Sequence, residues 1–97
     1  MLIINQKLLS DFCKKHADSR KSIATWLKFT REAVWKKKQD VLTTFPNAKM
    51  LENSRARFEI VHNRYRLIVK VDYTDGRVVI RFIGTHSEYD NIDPTII

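Results

Sequence analysis

The chain has 97 residues, enough for one hydrophobic core and too few for a second. Lysine and arginine number 18 against 11 acidic residues, a formal charge of +7. Because repulsion among like charges costs stability, such an excess suggests a partner such as nucleic acid, an anionic membrane or an acidic protein, with a merely soluble surface as the plainer reading. Hydrophobic residues make up 43% of the chain, which excludes disorder as its default state. One cysteine, Cys13, rules out an intrachain disulfide and fits a reducing cytoplasm. The start, Met1 to Lys7, lacks the basic leader and long apolar core of a signal peptide, and no apolar run approaches the roughly 20 residues of a bilayer span. A cytoplasmic chain without a membrane partner is expected.

The first element in chain order is a helix that Asn5 can cap, with Leu8, Leu9, Phe12, Cys13 and His16 along one stripe. A second helix starts after Asp18-Ser19, with Ser19 as a candidate cap. Ile23, Leu27, Thr30 and Val34 keep one side in register, and Trp26, Phe29 and Ala33 broaden it. Lys36-Lys37-Lys38 suits the negative end of that helix. Residues 40 to 45 can add one more turn before Pro46 stops it.

From Pro46 onward the pattern changes to strands. Residues 49 to 53 give a short edge strand. Arg57 to His62 carries Phe58 and Ile60 on one face, Tyr65 to Tyr73 carries Leu67, Val69 and Val71, and Val78 to Thr85 carries Val78, Ile80 and Phe82. Asn63 falls at the first turn and Asp75-Gly76 at the second, links short enough to permit only antiparallel neighbours. The expected architecture is α+β: two N-terminal helices over about 5–45 packed on a three- to four-stranded antiparallel sheet over about 49–85. A short turn or helix follows over 86–93, all within one domain, 1–97.

Alternation sends Arg64, Arg66, Ile68 and Lys70, with Arg77, Val79, Arg81 and Ile83, to the opposite face of the sheet, which is basic and apolar together. Glu59 and Asp72 are its main acids. Such a face attracts phosphates and offers flat patches to bases, and arginine suits it because its planar fork makes two parallel hydrogen bonds to a phosphate. The plainer reading, in which Arg66, Lys70 and Arg81 are solvated strand residues, stands beside it. No helix-turn-helix pattern or zinc-finger spacing points to duplex DNA, and cations beside aromatics suit unstacked RNA.

The segment Gly84-Thr85-His86-Ser87-Glu88-Tyr89-Asp90 concentrates proton-handling groups just beyond Arg81. By spacing alone it reads as a helix cap, with Thr85 or Ser87 capping a final turn and His86 exposed. Continued as Asn91-Ile92-Asp93, however, it resembles the "GTHxEYDxID" ending of the HigB-type toxins of type II toxin–antitoxin systems. Asn63 to Val69 is similar to that family's "GNKYRLV" strand and Val79 to Gly84 to its "VYIRFVG". Ala33-Val34-Trp35-Lys36, with Phe45-Pro46, is similar to its middle section. The likeness covers nearly the whole chain, and its ending is the specific part. His62 stands where that family usually has glycine, and Arg64 where lysine is common.

The resemblance implies a RelE-like fold with the helices on one face of the sheet and RNA on the other. It implies cleavage of messenger RNA, commonly on the ribosome, by metal-independent attack of a ribose 2′-hydroxyl, and neutralisation by a cognate antitoxin. Such chemistry needs a base, an acid and cations around phosphorus. Arg66 and Arg81 are the expected phosphate clamp, and His86 and Tyr89 the candidates for proton transfer, with base and acid unassigned. Lys36, Lys37, Arg64 and Lys70 are expected to hold RNA backbone, and Asp90 either to orient the site or to end a helix. No cofactor is expected. The three histidines, His16, His62 and His86, are scattered and the acids dispersed, so no metal is expected either. Two rivals remain at this point: a non-catalytic RNA-binding module, for which His86→Ala changes nothing, and a basic protein-interaction domain without steep salt dependence.

Overall fold

The computed structural model describes residues 1–97. Strand β1 (Leu2–Ile4) is followed by α1 (Lys7–Lys15), a single 3-10 turn (Ala17–Ser19), α2 (Arg20–Glu32) and α3 (Lys38–Thr44). Strands β2 (Lys49–Met50), β3 (Arg55–Ile60), β4 (Tyr65–Asp72) and β5 (Arg77–Thr85) then lead into a one-turn helix, α4 (His86–Tyr89). The α+β expectation holds, with two corrections to the sheet. It has five strands, in the order β1-β5-β4-β3-β2, and it is mixed, because β1 runs parallel to β5. Three apolar residues before a helix carry no readable period, which is why β1 escapes a reading by alternation.

Helix positions differ in detail. Asn5 does not cap α1: it sits in the left-handed region at φ 71°, turns the chain out of β1, and its Nδ2 donates to the Ile80 carbonyl. Ser19 precedes α2, but its hydroxyl donates backward to the His16 carbonyl. Helix α2 ends at Glu32, so Val34 leaves the expected stripe and is exposed. Lys36 and Lys37 lie in the connection to α3, where Asp40 accepts from both of their backbone amides. This carboxylate satisfies amides that the first turn of a helix leaves open.

Leu9, Phe12, Ile23, Trp26, Trp35 and Val41 from the helical layer meet Ala56, Phe58, Ile60, Leu67, Val69, Val71, Val78 and Ile80 from the sheet. Most of these sheet positions are fully buried, as expected for the inward side of alternating strands. The β4–β5 turn uses Gly76 at φ 70°. The β3–β4 turn instead places Val61 and His62 in the left-handed region, at φ 54° and 59°, so the strained positions precede Asn63.

Candidate functional site

The outward face of the sheet is built in rungs. Register places Gly84 on β5, Arg66 on β4 and Glu59 on β3 side by side, and the next rung carries Phe82, Ile68 and Arg57. Between Ile68 and Val69 the β4–β5 register slips by one residue, and Arg81 is the unpaired residue of that bulge. Val79, Lys70 and Arg55 form the rung beyond.

At the β5 end the chain turns sharply into α4. Thr85 caps it: its hydroxyl accepts from the Glu88 amide at 3.2 Å, while the Glu88 carboxylate accepts from the Thr85 amide at 2.9 Å. These bonds hold the Glu88 carboxyl below its ordinary range. The cap read from spacing is therefore present. It serves the site as well, because one turn of helix brings His86 and Tyr89 back over β3 and β4. Gly84 makes the approach possible: a Cβ there would lie 2.7 Å from Phe82 Cζ and 3.0 Å from Glu88 Oε1.

A carboxylate, two guanidinium groups, an imidazole and a phenol meet at this end. Glu59 Oε1 lies 3.4 Å from Arg66 Nε and 3.6 Å from Arg57 Nε, while its Oε2 lies 3.7 Å from His86 Nε2. The Tyr89 ring covers both arginines, its centroid 4.6 Å from the Arg66 guanidinium carbon and 5.8 Å from that of Arg57. Phe82 flanks the same ring. Glu59 Oε2 and His86 Nε2, which face each other, and Arg66 Nε, which faces Glu59 Oε1, are buried and make no hydrogen bond. Buried polar groups are rarely left in that state, and a cluster of them marks a place where the fold has not spent its hydrogen-bonding capacity on itself.

Three of the four expected central residues, Arg66, His86 and Tyr89, thus come together. Arg81 stands outside the contact set, exposed on the bulge and without an ion pair. Arg57 supplies the second guanidinium near Arg66. Glu59 and Arg57 were both visible as outward residues of β3, but without register nothing distinguished them from other surface charges. Lys70 is exposed on the rung beyond the bulge, and Asp90 is exposed at the end of α4. Lys36 and Lys37 are exposed on the helical layer. Arg64 does not share the face of Arg66. It belongs to the turn before β4, pairs with Asp18 at 3.0 Å and lies over the Tyr65 ring. Tyr65 itself donates to Asp18 at 2.8 Å, and burial followed by that carboxylate pushes the phenol's pKa up.

The face is also less open than alternation predicts. Ile68, expected as an exposed apolar patch, is completely buried. The segment after α4 returns to the start of β3, where Asn53 Nδ2 donates to the Thr95 carbonyl at 3.0 Å and the Arg55 guanidinium to that of Ile97. His16 stacks on Phe12 at 4.4 Å and belongs to the core side, and His62 tops a turn. No group of three or more His, Cys, Asp or Glu side chains is placed to hold a metal ion. No helix is long and apolar enough to cross a membrane.

Compared with known families, residues 19–92 match the model of HigB toxin, described as the RelE-like toxic component of a toxin-antitoxin system. No curated protein matches the chain. The matched span begins at the last residue of the 3-10 turn and ends beyond α4, so it includes every residue of the charged cluster.

Proposed function

The chain belongs to the HigB toxin family of toxin–antitoxin systems, and on that premise we propose that it is a cytoplasmic endoribonuclease that cleaves messenger RNA, works at the ribosome and is neutralised by a cognate antitoxin. The observation that carries this reading is the Glu59–Arg66–His86 cluster, whose facing polar atoms are buried and unbonded. Residues 1–97 act as one domain, since β1, outside the matched span, is a strand of the same sheet.

The reaction is metal-independent. The ribose 2′-oxygen attacks the adjacent phosphorus, its proton passes to the base, the bond from phosphorus to the 5′-oxygen breaks, and the acid protonates that oxygen. The products are a 2′,3′-cyclic phosphate and a 5′-hydroxyl. A carboxylate facing an imidazole supplies both roles: Glu59 takes the proton and His86 returns one to the leaving oxygen. Arg66 and Arg57 neutralise the charge that grows on phosphorus. Tyr89 holds both guanidinium groups in place, and its ring is available to a base. Arg81 and Lys70, exposed further along the face, hold the flanking backbone, with Lys36, Lys37 and Arg64 gripping RNA from outside it.

The test is chemical. Purified protein incubated with messenger RNA in excess chelator should yield fragments bearing cyclic phosphate and 5′-hydroxyl ends. Inducing the gene should arrest growth, and the adjacent antitoxin reading frame should restore it. A stably folded variant with Arg66, Arg81, His86 and Tyr89 all replaced by alanine should be harmless. Full toxicity of that variant removes the site assignment.

A further inference from the structure

Strand β2 pairs with β3 only at Ala56 and Arg57, so from Phe58 onward that edge of β3 is unpaired. Beside it runs a groove of about 500 Å³ between α2 and the connection from α3 to β2. Its lining includes Trp26, Phe29, Phe45 and Phe58, together with Asn47 and Glu59. Glu59 is therefore shared between this groove and the charged cluster. Phe29 is 46% exposed although it is a large apolar side chain on a well-packed helix, and its ring stands edge-on to Phe45 at 6.4 Å. The Trp26 indole nitrogen is buried without an acceptor, and the Asn47 amide makes no hydrogen bond within the chain.

We propose that this groove is a nucleobase subsite: it receives the unstacked base of the nucleotide whose ribose reaches Glu59. The proposal rests on the nuclease reading and extends it to the neighbouring base. Glu59 lines the groove while its carboxylate meets Arg66 and His86, so a place for the base and a place for the sugar adjoin at this one residue. An aromatic slot with a polar rim suits a flat heterocycle with a hydrogen-bonding edge. Lys21, which also lines the groove, brings positive charge to it. An antitoxin side chain is the competing occupant, but it has no need of continuity with Glu59.

The experiment titrates the wild-type protein with the 3′-monophosphates of adenosine, guanosine, cytidine and uridine, following tryptophan emission, and measures steady-state cleavage of a short RNA in parallel. At least one nucleotide should change the emission saturably. Phe29→Ala should weaken that binding about tenfold and raise KM to a similar degree, as expected for loss of one base–aromatic stack. Phe29→Trp should restore both, and Asn47→Ala, in an exposed loop, should alter the preference among the four bases. Absence of any saturable response overturns the subsite, as does unchanged nucleotide binding in Phe29→Ala. Loss of antitoxin binding in Phe29→Ala with nucleotide binding intact makes the groove a protein-docking surface and also overturns it. If the wild-type protein cuts no RNA, the nuclease reading fails, while the nucleotide titrations still decide the groove.

Discussion

The two faces of one sheet have opposite economies. On the helix side Leu67, Val69, Val71, Val78 and Ile80 are essentially inaccessible, and their contacts are with other apolar groups. On the other side Arg57, Glu59, Arg66 and His86 crowd together with buried polar atoms that make no hydrogen bond. The same strands thus present a finished surface and an unfinished one. Side-chain parity sorts apolar from charged positions on these strands, with Ile68 the buried exception on the outward face, and under the proposed function it decides whether a substitution damages stability or chemistry.

The sharpest way to break that comparison is to cut the outward face without touching the inward one. The double variant Arg66→Ala/His86→Ala should lose on the order of 10⁴-fold in cleavage rate, from the combined loss of charge stabilisation and proton transfer. Its thermal midpoint should stay within a few degrees of wild type, and a collapse of the fold instead would mean that the outward cluster is structural. The reciprocal change, Leu67→Ala, should cost about 2–5 kcal/mol in denaturant unfolding. The molecules that remain folded should keep their turnover.

A smaller effect tests the junction between the faces. Gly84→Ala places a methyl group against Phe82 and Glu88, and overpacking of this kind costs about 1–3 kcal/mol. Because α4 carries His86 and Tyr89, the rate of cleavage should fall further than stability alone explains. The smallest effect is a pH dependence. The Glu88 carboxyl lies below its ordinary value of 4.5, so its ionised form favours the folded state. That contribution is fully present above the unfolded value and fades as the pH falls through the folded one. Melting curves of wild type and Glu88→Gln should therefore differ at neutral pH and converge below about pH 4.5, with wild type the more stable where they differ.

The legible parts of this molecule were those governed by local rules. The period of Leu67, Val69 and Val71 and the glycine at 76 marked strands and a hairpin, and Thr85 was one of two candidate caps for the final turn; the strands, the hairpin and the Thr85 cap are in place. Charge pointed to the outward face, and the family resemblance to Arg66, Arg81, His86 and Tyr89 as its centre, from which the bulge sets Arg81 apart. Strand β1 was not legible, since three residues in a parallel pair have neither period nor turn to announce them. Nor was the partnership of Glu59 with Arg66: that depends on which residue of β3 lies opposite which residue of β4, and a shift of one position would have sent Glu59 to the core. The position of Arg81 depended on a bulge, and Arg64 was drawn to Asp18 by a turn that alternation does not describe.

By itself, then, the amino-acid sequence determined the α+β class, the separation of apolar from charged strand positions and the capped turn that ends β5, because each follows from contacts a few residues apart. Tertiary structure alone decided which guanidinium stands beside Arg66, that a carboxylate joins His86, and that Glu59 also lines the aromatic groove. Those are pairings between distant strands and helices, set by register and packing, and no spacing along the chain encodes them.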